Sequence, residues 1–326
     1  VYANASISDA VTDITEWKTT SPLINGNYTG ARYGDIWGFE TDRYFTVDDL
    51  GGDGKLDYIT AKNPGGKVAD QTGLETGTFV FGPGDIKYKD LNGDGVINGG
   101  DPKMTDEDGN LIPVGSANNH GDLKVIGNML PRYEYSFRLG ASYKGFDLDL
   151  FFQGVGKRNT WTTSPFNFPL MRAADLAIYE GQTSYNVYDP ENGIINISED
   201  NKYPCLYAGV NDGGTVANIA EGRHNYYPQT KYLINQAYLR LKNITFGYTI
   251  PYEITKKAYI QNLRVYFSCN NPCLLYKGND LPVDPEVNAG QGYAVSNTQI
   301  SGLRNVYWGR TIPMTRTFSF GLQVTF

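Results

Sequence analysis

The chain has 326 residues, a formal net charge of -7, only 19% charged residues, and an abundance of Gly, Tyr and Phe. An acidic balance without any Lys/Arg cluster interleaved with aromatics excludes nucleic acid as a partner. No run of about 18 apolar residues occurs, which excludes transmembrane helices and leaves a barrel as the only way for so polar a chain to span a bilayer.

In chain order, the first residues show no charged n-region or apolar h-region, so any targeting signal is expected to have been removed or to lie upstream. Residues 1–14 read as the end of a strand, and residues 15–131 as a long polar loop region. Inside that region, Asp90-Leu-Asn-Gly-Asp-Gly-Val-Ile-Asn-Gly-Gly-Asp101 has the spacing of an EF-hand-type calcium loop. Asp90, Asn92 and Asp94 fall at loop positions 1, 3 and 5, Val96 offers its carbonyl at 7, Asn98 stands at 9, and Asp101 closes at 12. Hard oxygen donors at these offsets suit Ca²⁺, and Pro102 forbids a normal exiting helix, so the loop is expected to pin a surface segment rather than to act as a sensor. Asp49, Asp53 and Asp57 imitate the pattern with Gly51 in a ligand position, which favours a plain turn. Thr105-Asp-Glu-Asp-Gly-Asn110 reads as a hairpin tip.

Strict alternation begins at residues 132–154. Tyr133, Tyr135, Phe137, Leu139, Ala141 and Tyr143 share one face; after a turn at Gly145, Phe146, Leu148, Leu150 and Phe152 share another. Each arm has about ten residues, the length a tilted strand needs to cross a bilayer. Residues 155–236 form a second long loop, and residues 237–326 hold the last three strands. In the first of these, Leu239 and Leu241 fall out of phase with Ile244, Phe246, Tyr248 and Ile250, which predicts a β-bulge near Asn243. Residues 251–261 make a short connection to the strand of Leu263, Val265, Phe267 and Cys269, and residues 277–311 a long one. The chain closes on Phe318, Phe320, Leu322, Val324 and Phe326, alternating with Ser319, Gly321, Gln323 and Thr325.

Short connections therefore fall on one side and long ones on the other, as in an outer-membrane barrel with short periplasmic turns and long extracellular loops. If Phe326 lies at the periplasmic rim, the strand directions place every short turn there as well. The fold class is accordingly all-β, a transmembrane antiparallel β-barrel. Five strands are clear and a sixth falls near the start, whereas membrane barrels need at least about eight, so the chain cannot close one alone. A soluble β-sandwich competes, but loops of roughly 35 to 80 residues are anomalous in that class.

Chemistry for catalysis is absent from the pattern. His120 and His224 are the only histidines, and there is no nucleophile elbow or phosphate-cradling loop. Asp147 and Asp149 are two apart on a strand and read as a solvated lumen wall rather than as an acid/base pair. Cys205, Cys269 and Cys273 match no trusted zinc spacing and read as incidental thiols or one bridge.

Six motifs in order carry a family resemblance: Tyr33-Gly-Asp-Ile-Trp-Gly-Phe-Glu-Thr-Asp42, Gly84-Asp-Ile-Lys-Tyr-Lys-Asp-Leu-Asn-Gly-Asp-Gly-Val-Ile97, Val125-Ile-Gly-Asn-Met-Leu-Pro-Arg132, Gly140-Ala-Ser-Tyr-Lys-Gly-Phe-Asp147, Tyr238-Leu-Arg-Leu-Lys-Asn-Ile-Thr-Phe-Gly-Tyr248 and Pro313-Met-Thr-Arg-Thr-Phe318. Together they resemble the C-terminal barrel portion of SusC-like TonB-dependent outer-membrane transporters (the SusC/RagA family) of Bacteroidetes. The Ser268-Cys-Asn-Asn-Pro-Cys-Leu segment departs from that family, which usually lacks cysteine there.

The resemblance implies a barrel of about 22 strands around a plug domain. It also implies a SusD-like surface lipoprotein as lid, energy supplied through the TonB complex, and import of oligosaccharides or peptides across the outer membrane. On that reading this chain contains no plug, and the plug and remaining strands are partners it needs. Outward residues would meet outer-membrane lipid. Trp161, Tyr226, Tyr227, Tyr307 and Trp308 lie in loops where they could stack on sugar rings, although packing or interface anchoring explains each equally well. The competing function is a calcium-stabilised surface adhesin or carbohydrate-binding β-protein without transport activity; a general pore would share the barrel but conduct without TonB.

Overall fold

The computed structural model describes residues 2–8, 24, 31–32, 34–75, 79–162, 164–169, 178–206, 225–287, 309 and 311–326. Six strands form one antiparallel sheet in chain order: β1 (Tyr2–Ser8), β2 (Tyr133–Tyr143), β3 (Phe146–Gly156), β4 (Tyr238–Ile250), β5 (Asn262–Lys277) and β6 (Thr317–Thr325). The part of the 1–14 strand that lies beyond Ser8 falls outside the described residues. Sheet and alternation agree with the all-β reading; the sheet is open, with β1 and β6 at its edges.

Register turns the alternation of each strand into one continuous face. Leu139, Leu150, Ile244, Cys269 and Phe318 lie side by side across β2 to β6. The next rank is Ala141, Leu148, Phe246, Phe267 and Phe320, and the next Tyr143, Phe146, Tyr248, Val265 and Leu322. Because the side-chain period is two, a one-residue slip in any strand would send its apolar set to the wrong side. Aromatic contacts within the face reinforce the register: Phe137 stacks on Phe152 with centroids 4.4 Å apart, and Phe146 meets Tyr248 at 4.5 Å.

The joints follow from local chemistry. Lys144 (φ 48°) and Gly145 (φ 89°) both take left-handed conformations, as a two-residue turn with the twist of its flanking strands requires. A short helix, Tyr252–Thr255, and a 3-10 turn, Lys256–Ala258, fill the connection between β4 and β5. The bulge expected near Asn243 is present, as a register shift between Leu241 and Asn243 against both neighbouring strands. Opposite it, Asn271 has a positive φ of 50° and Pro272, which cannot donate to a ladder, sits in the same irregular step. The cysteine-containing segment therefore continues the strand instead of ending it, and β5 runs on to Lys277. All three cysteines are free.

The segments between β1 and β2 and between β3 and β4 fold together into a cap. Asp35–Phe39 pairs with Leu123–Asn128, and Thr41–Tyr44 with Ile86–Tyr88. Ile36, Phe39, Tyr44, Phe45, Ile86 and Ile97 are fully buried in it, with Trp161, Phe168, Tyr203, Tyr226 and Tyr232 from the second segment. Among the described residues, this core takes no buried member from the six long strands. Stretches that read as polar loops thus hold the principal hydrophobic core. The two segments are stitched at Phe39, whose N–H donates to the Pro228 carbonyl (2.8 Å) and whose carbonyl accepts from Thr230 (3.1 Å). Gly38 allows the approach, since a Cβ there would lie 2.4 Å from the Pro228 oxygen. Among the described residues no helix is long and apolar enough to cross a membrane.

Candidate functional site

The face of the sheet opposite the apolar ranks is polar and internally neutralised. Arg138 Nε donates to Asp149 at 2.8 and 2.9 Å, and Arg264 grips Asp147 through Nε at 2.9 Å and Nη2 at 2.5 Å. The Arg264 guanidinium also lies 5.0 Å from the Tyr266 ring centroid. Higher up, Asn243, Thr245, Ser268 and Asn270 form a cross-strand hydrogen-bond ladder with distances of 2.8 to 3.1 Å. Asp147 and Asp149 therefore each hold an arginine across the strands, which is the wall arrangement and leaves neither poised as a general acid or base. Two glycines keep the wall low. A Cβ on Gly321 would lie 2.3 Å from the Tyr266 ring, and one on Gly247 2.5 Å from the Asp147 carboxylate.

Above this wall, the segment after β5 folds back and is clamped to β4. Arg240 Nη2 donates to both Asp284 oxygens at 2.7 Å and pairs with Glu286, which Lys242 also contacts at 2.7 Å. Arg158, buried, donates to the Pro285 carbonyl at 2.7 Å. Burial works against the charge of Asp284, but amide donors from Glu286 and Met314 and the Arg240 guanidinium outweigh it and hold the carboxyl below its usual range. The motif Tyr238-Leu-Arg-Leu-Lys offered Arg240 and Lys242 as ordinary strand residues; nothing in the sequence announced that residues 284–286 would return to them.

The calcium-type loop is a built turn. Asp90 accepts from Gly93 N–H (2.6 Å) and Gly95 N–H (2.9 Å), Asn92 Oδ1 from Asp94 N–H (2.9 Å), and Asp94 Oδ1 from Val96 N–H (2.8 Å). Gly93 and Gly95 both have positive φ, at 77° and 82°, which the tight winding requires. Ile97 anchors the loop in the cap core, its N–H donating to the Asp70 carbonyl at 2.8 Å. Asn98 Oδ1 accepts from Gly100 N–H (2.7 Å), and Asp101 Oδ1 from Lys103 N–H (2.8 Å). A residue outside the motif ties both halves: Asp122, fully buried, accepts from Leu91 N–H (2.7 Å) and Asn98 N–H (2.9 Å). Burial pushes the Asp122 carboxyl up, against the pull of those amides, and the charge of Asp90 adds to the rise. Asp90, Asn92 and Asp94 thus bring hard oxygens to one short turn, each accepting from amides of the loop itself. Among the described residues, no three His, Cys, Asp or Glu side chains gather into a metal-binding group.

The imitation loop resolves into separate jobs. Asp49 takes a two-pronged grip from Arg43 at 2.6 Å, Asp53 accepts from Lys55 N–H (3.1 Å), and Asp57 accepts from Asn63 (2.6 Å). Leu50 pairs with Leu56, so the segment is the turn that was expected. For the described loop aromatics, of which stacking and packing are both open by sequence, the structure shows packing. Trp161 and Tyr226 are buried beside Phe168, at centroid distances of 5.3 and 4.1 Å, and face no solvent on which a sugar could lie. Tyr227 donates its hydroxyl to the Leu74 carbonyl (2.7 Å) and packs on the same core. Tyr307 and Trp308 lie outside the described residues.

Comparison with known proteins agrees with this architecture. No family model matches the chain. TonB-dependent receptor P3 of Formosa agariphila is 29% identical over 246 residues, covering 75% of this chain and 19% of that protein. TonB-dependent receptor P26 of the same organism is 26% identical over 257 residues, covering 79% and 21%. The chain thus spans about a fifth of the length of the curated relatives it matches. In fold, the whole chain superposes on 27% of a chain in the RagAB peptide transporter, with a TM-score of 0.51 and 18% identity. Against the RagAB peptide importer in its closed-closed state the TM-score is 0.53, with the same identity and coverage. By sequence the chain is similar to proteins named TonB-dependent receptors, and its strand-rich fold is similar to part of a chain of the RagAB structures. The curated relatives are named as receptors, and the solved neighbours as a peptide transporter and importer.

Proposed function

We propose that the chain is part of a SusC-like, TonB-dependent transporter of the outer membrane that imports oligosaccharides or peptides together with a SusD-like surface lipoprotein. Its six strands are one stretch of a barrel of about 22 strands around a plug. The observation that carries this reading is the apolar face of the sheet: Phe318, Phe320 and Leu322 are 59%, 83% and 69% exposed and lie in register with the apolar ranks of the neighbouring strands. A face of this extent is stable in hydrocarbon and costly in water. The ion-paired face then lines the import path, and the cap lies on the extracellular side, where the lipoprotein would sit. Of the two cargo classes, peptides come first, because the RagAB neighbours are peptide transporters.

The test uses the full-length transporter in its own cells. The protein should fractionate with outer membranes, require detergent for extraction and co-purify with a lipoprotein. Uptake of labelled peptides or oligosaccharides should stop when the transporter gene is deleted or the proton gradient is collapsed. Recovery of the protein in the soluble fraction, or uptake indifferent to the gradient, would refute the reading.

In the same transporter, Asp90, Asn92, Asp94, Asn98 and Asp101 through their side chains and Val96 through its carbonyl would hold Ca²⁺. Bound there, the ion would stiffen a turn already shaped by its own amides. Calorimetry with calcium on the full-length parent and on an Asp90→Ala, Asp94→Ala variant tests this, and equal calcium uptake by both would sink the site.

A further inference from the structure

The segment that follows β5 folds back over one face of the sheet, and the register fixes which face. Ser136 of β2, Gln153 of β3, Arg240 of β4 and Leu274 of β5 form one rank across the strands. Counted by twos along β3, Gln153 shares its side with Asp149 and Asp147, so Arg240 rises from the ion-paired face and not from the apolar one. Its rank lies four residues beyond Asp149, roughly 13 Å of strand further from the Lys144–Gly145 turn. Whatever Arg240 holds therefore lies over the polar face.

What it holds is the stretch Asp284-Pro-Glu286. Both Asp284 oxygens take Arg240 Nη2 at 2.7 Å, one Glu286 oxygen lies 2.9 Å from Arg240 Nε, and the other 2.7 Å from Lys242 Nζ. The Arg240 and Asp284 side chains are only 5% and 9% exposed, so the fork is shielded from water. Arg158 donates to the Pro285 carbonyl (2.7 Å), the Gly278 N–H to the Ala237 carbonyl (2.8 Å), and the Asn279 amide to the Asn235 carbonyl (2.7 Å). Leu281 and Val283 are buried in a small core with Ile234, on which Phe166 packs. The Met314 N–H, 3.2 Å from Asp284, ties the same segment to the approach to β6. Residues 278–287 thus form a strap fixed along its length. A layer laid on a sheet stands about 10 Å from it, so the strap removes about that width from any channel the polar face lines.

We propose that residues 278–287 are a constriction of the import path, and that the clamp of Arg240 and Lys242 on Asp284 and Glu286 sets the girth of the cargo. Slim, unbranched chains pass it, and branched ones are held back. The inference rests on the outer-membrane transporter proposed above, with the polar face lining its path.

Hydrogen exchange and uptake, both on the full-length transporter, test it. Removing one member of a shielded pair strands the charge of the other, so the clamp is opened from both sides, by Arg240→Gln, Lys242→Gln, Asp284→Asn and Glu286→Gln together. In detergent, the amides of 278–287 should exchange roughly tenfold faster in this variant than in the parent, while those of β2 and β3 keep their rate. In cells, a linear labelled peptide should still be imported, and import of the same peptide carrying a bulky side branch should rise several-fold relative to it. A milder Lys242→Gln, Glu286→Gln variant keeps the Arg240–Asp284 fork and should shift both readouts less and in the same direction, which decides the matter where the full variant does not reach the outer membrane. Asp280→Asn removes a water-exposed pair with Lys202 from the same strap and should shift neither. Unchanged exchange in the clamp variants overturns the clamp, and faster exchange with an unaltered preference for the linear peptide overturns the constriction. A shift in the Asp280→Asn protein as large as theirs removes the clamp as its cause. A parent recovered in the soluble fraction takes down the transporter reading itself; a parent that imports on the gradient, with girth selection untouched in the variants, takes down the constriction alone.

Discussion

Phe168 in the cap and Phe320 in the last strand are the same residue in opposite settings. Phe168 is fully buried, with Tyr226 stacked on it at 4.1 Å and Tyr232 edge-on at 5.4 Å. Phe320 is 83% exposed, yet it sits in a ladder whose neighbours on the same face are also apolar. The cap satisfies the hydrophobic effect by folding inward, as a water-soluble domain does; the sheet can satisfy it only against lipid or further protein. On the outer-membrane reading proposed above, one chain thus joins two solvents. The division teaches that an apolar face which is both continuous and in register calls for a partner surface, whereas the cap supplies its own.

The comparison is broken most forcefully in the cap core. Phe168→Ala should cost about 3–5 kcal/mol of cap stability by emptying an aromatic cluster, while β2 to β6 stay folded. Hydrogen exchange would show it as faster exchange in the cap alone; equal acceleration in the strands would mean that the two regions are one cooperative unit. Next in size is Phe246→Arg at the middle of the apolar face. In a bilayer it should destabilise the barrel by about 2–4 kcal/mol, measured by denaturant titration of the full-length protein in lipid vesicles. On a water-exposed surface the same change would be within about 0.5 kcal/mol, so a null result removes the lipid contact.

A smaller effect is expected at Gly321→Ala, whose new methyl would press on Tyr266 and cost about 1–3 kcal/mol. Adding Tyr266→Ala should return part of that loss, and a strictly additive pair would disprove the contact. The smallest is a pH effect on the cap. Burial raises the cost of charging Asp49, but hydrogen bonds from Arg43 and the Thr46 N–H outweigh it, so its folded pKa lies below the unfolded one. Its contribution, on the order of 1 kcal/mol, is therefore complete above the unfolded carboxylate value and is lost as pH falls through the lower folded value. Cap exchange in an Asp49→Asn variant should lack this acid-dependent step; a step of the same size in both proteins would place its origin elsewhere.

How far the sequence could be read differs between the regions for a physical reason. In the sheet, a period of two sustained over strands of nine to sixteen residues reveals face, turn and even the bulge beside Asn243. The cap writes no such period. Its ladders are short, as at Ile86–Tyr88, and its core residues come singly from between Gly, Asn and Asp turns. For Trp161 and Tyr226 stacking on a ligand and packing therefore stayed equally open, and only the fold shows that both pack on Phe168. Asp122 was missed for the same reason: it belongs to the 90–101 loop by space and not by spacing. The acidic pair Asp147 and Asp149 was legible as wall because its position on a strand face already fixed which way it points.

The stitching of the two cap segments at Phe39 also bears on how the chain assembles. The hairpin of β2 and β3 and the ladder of β4 with β5 close over short connections and can form quickly. The seams between β1 and β2 and between β3 and β4 each enclose a whole cap segment, so their loop-closure entropy is larger and they form more slowly. Since Phe39 lies inside one seam and Pro228 and Thr230 inside the other, neither cap segment can finish without its counterpart. The cap is thus a folding clasp that makes two slow seams close together.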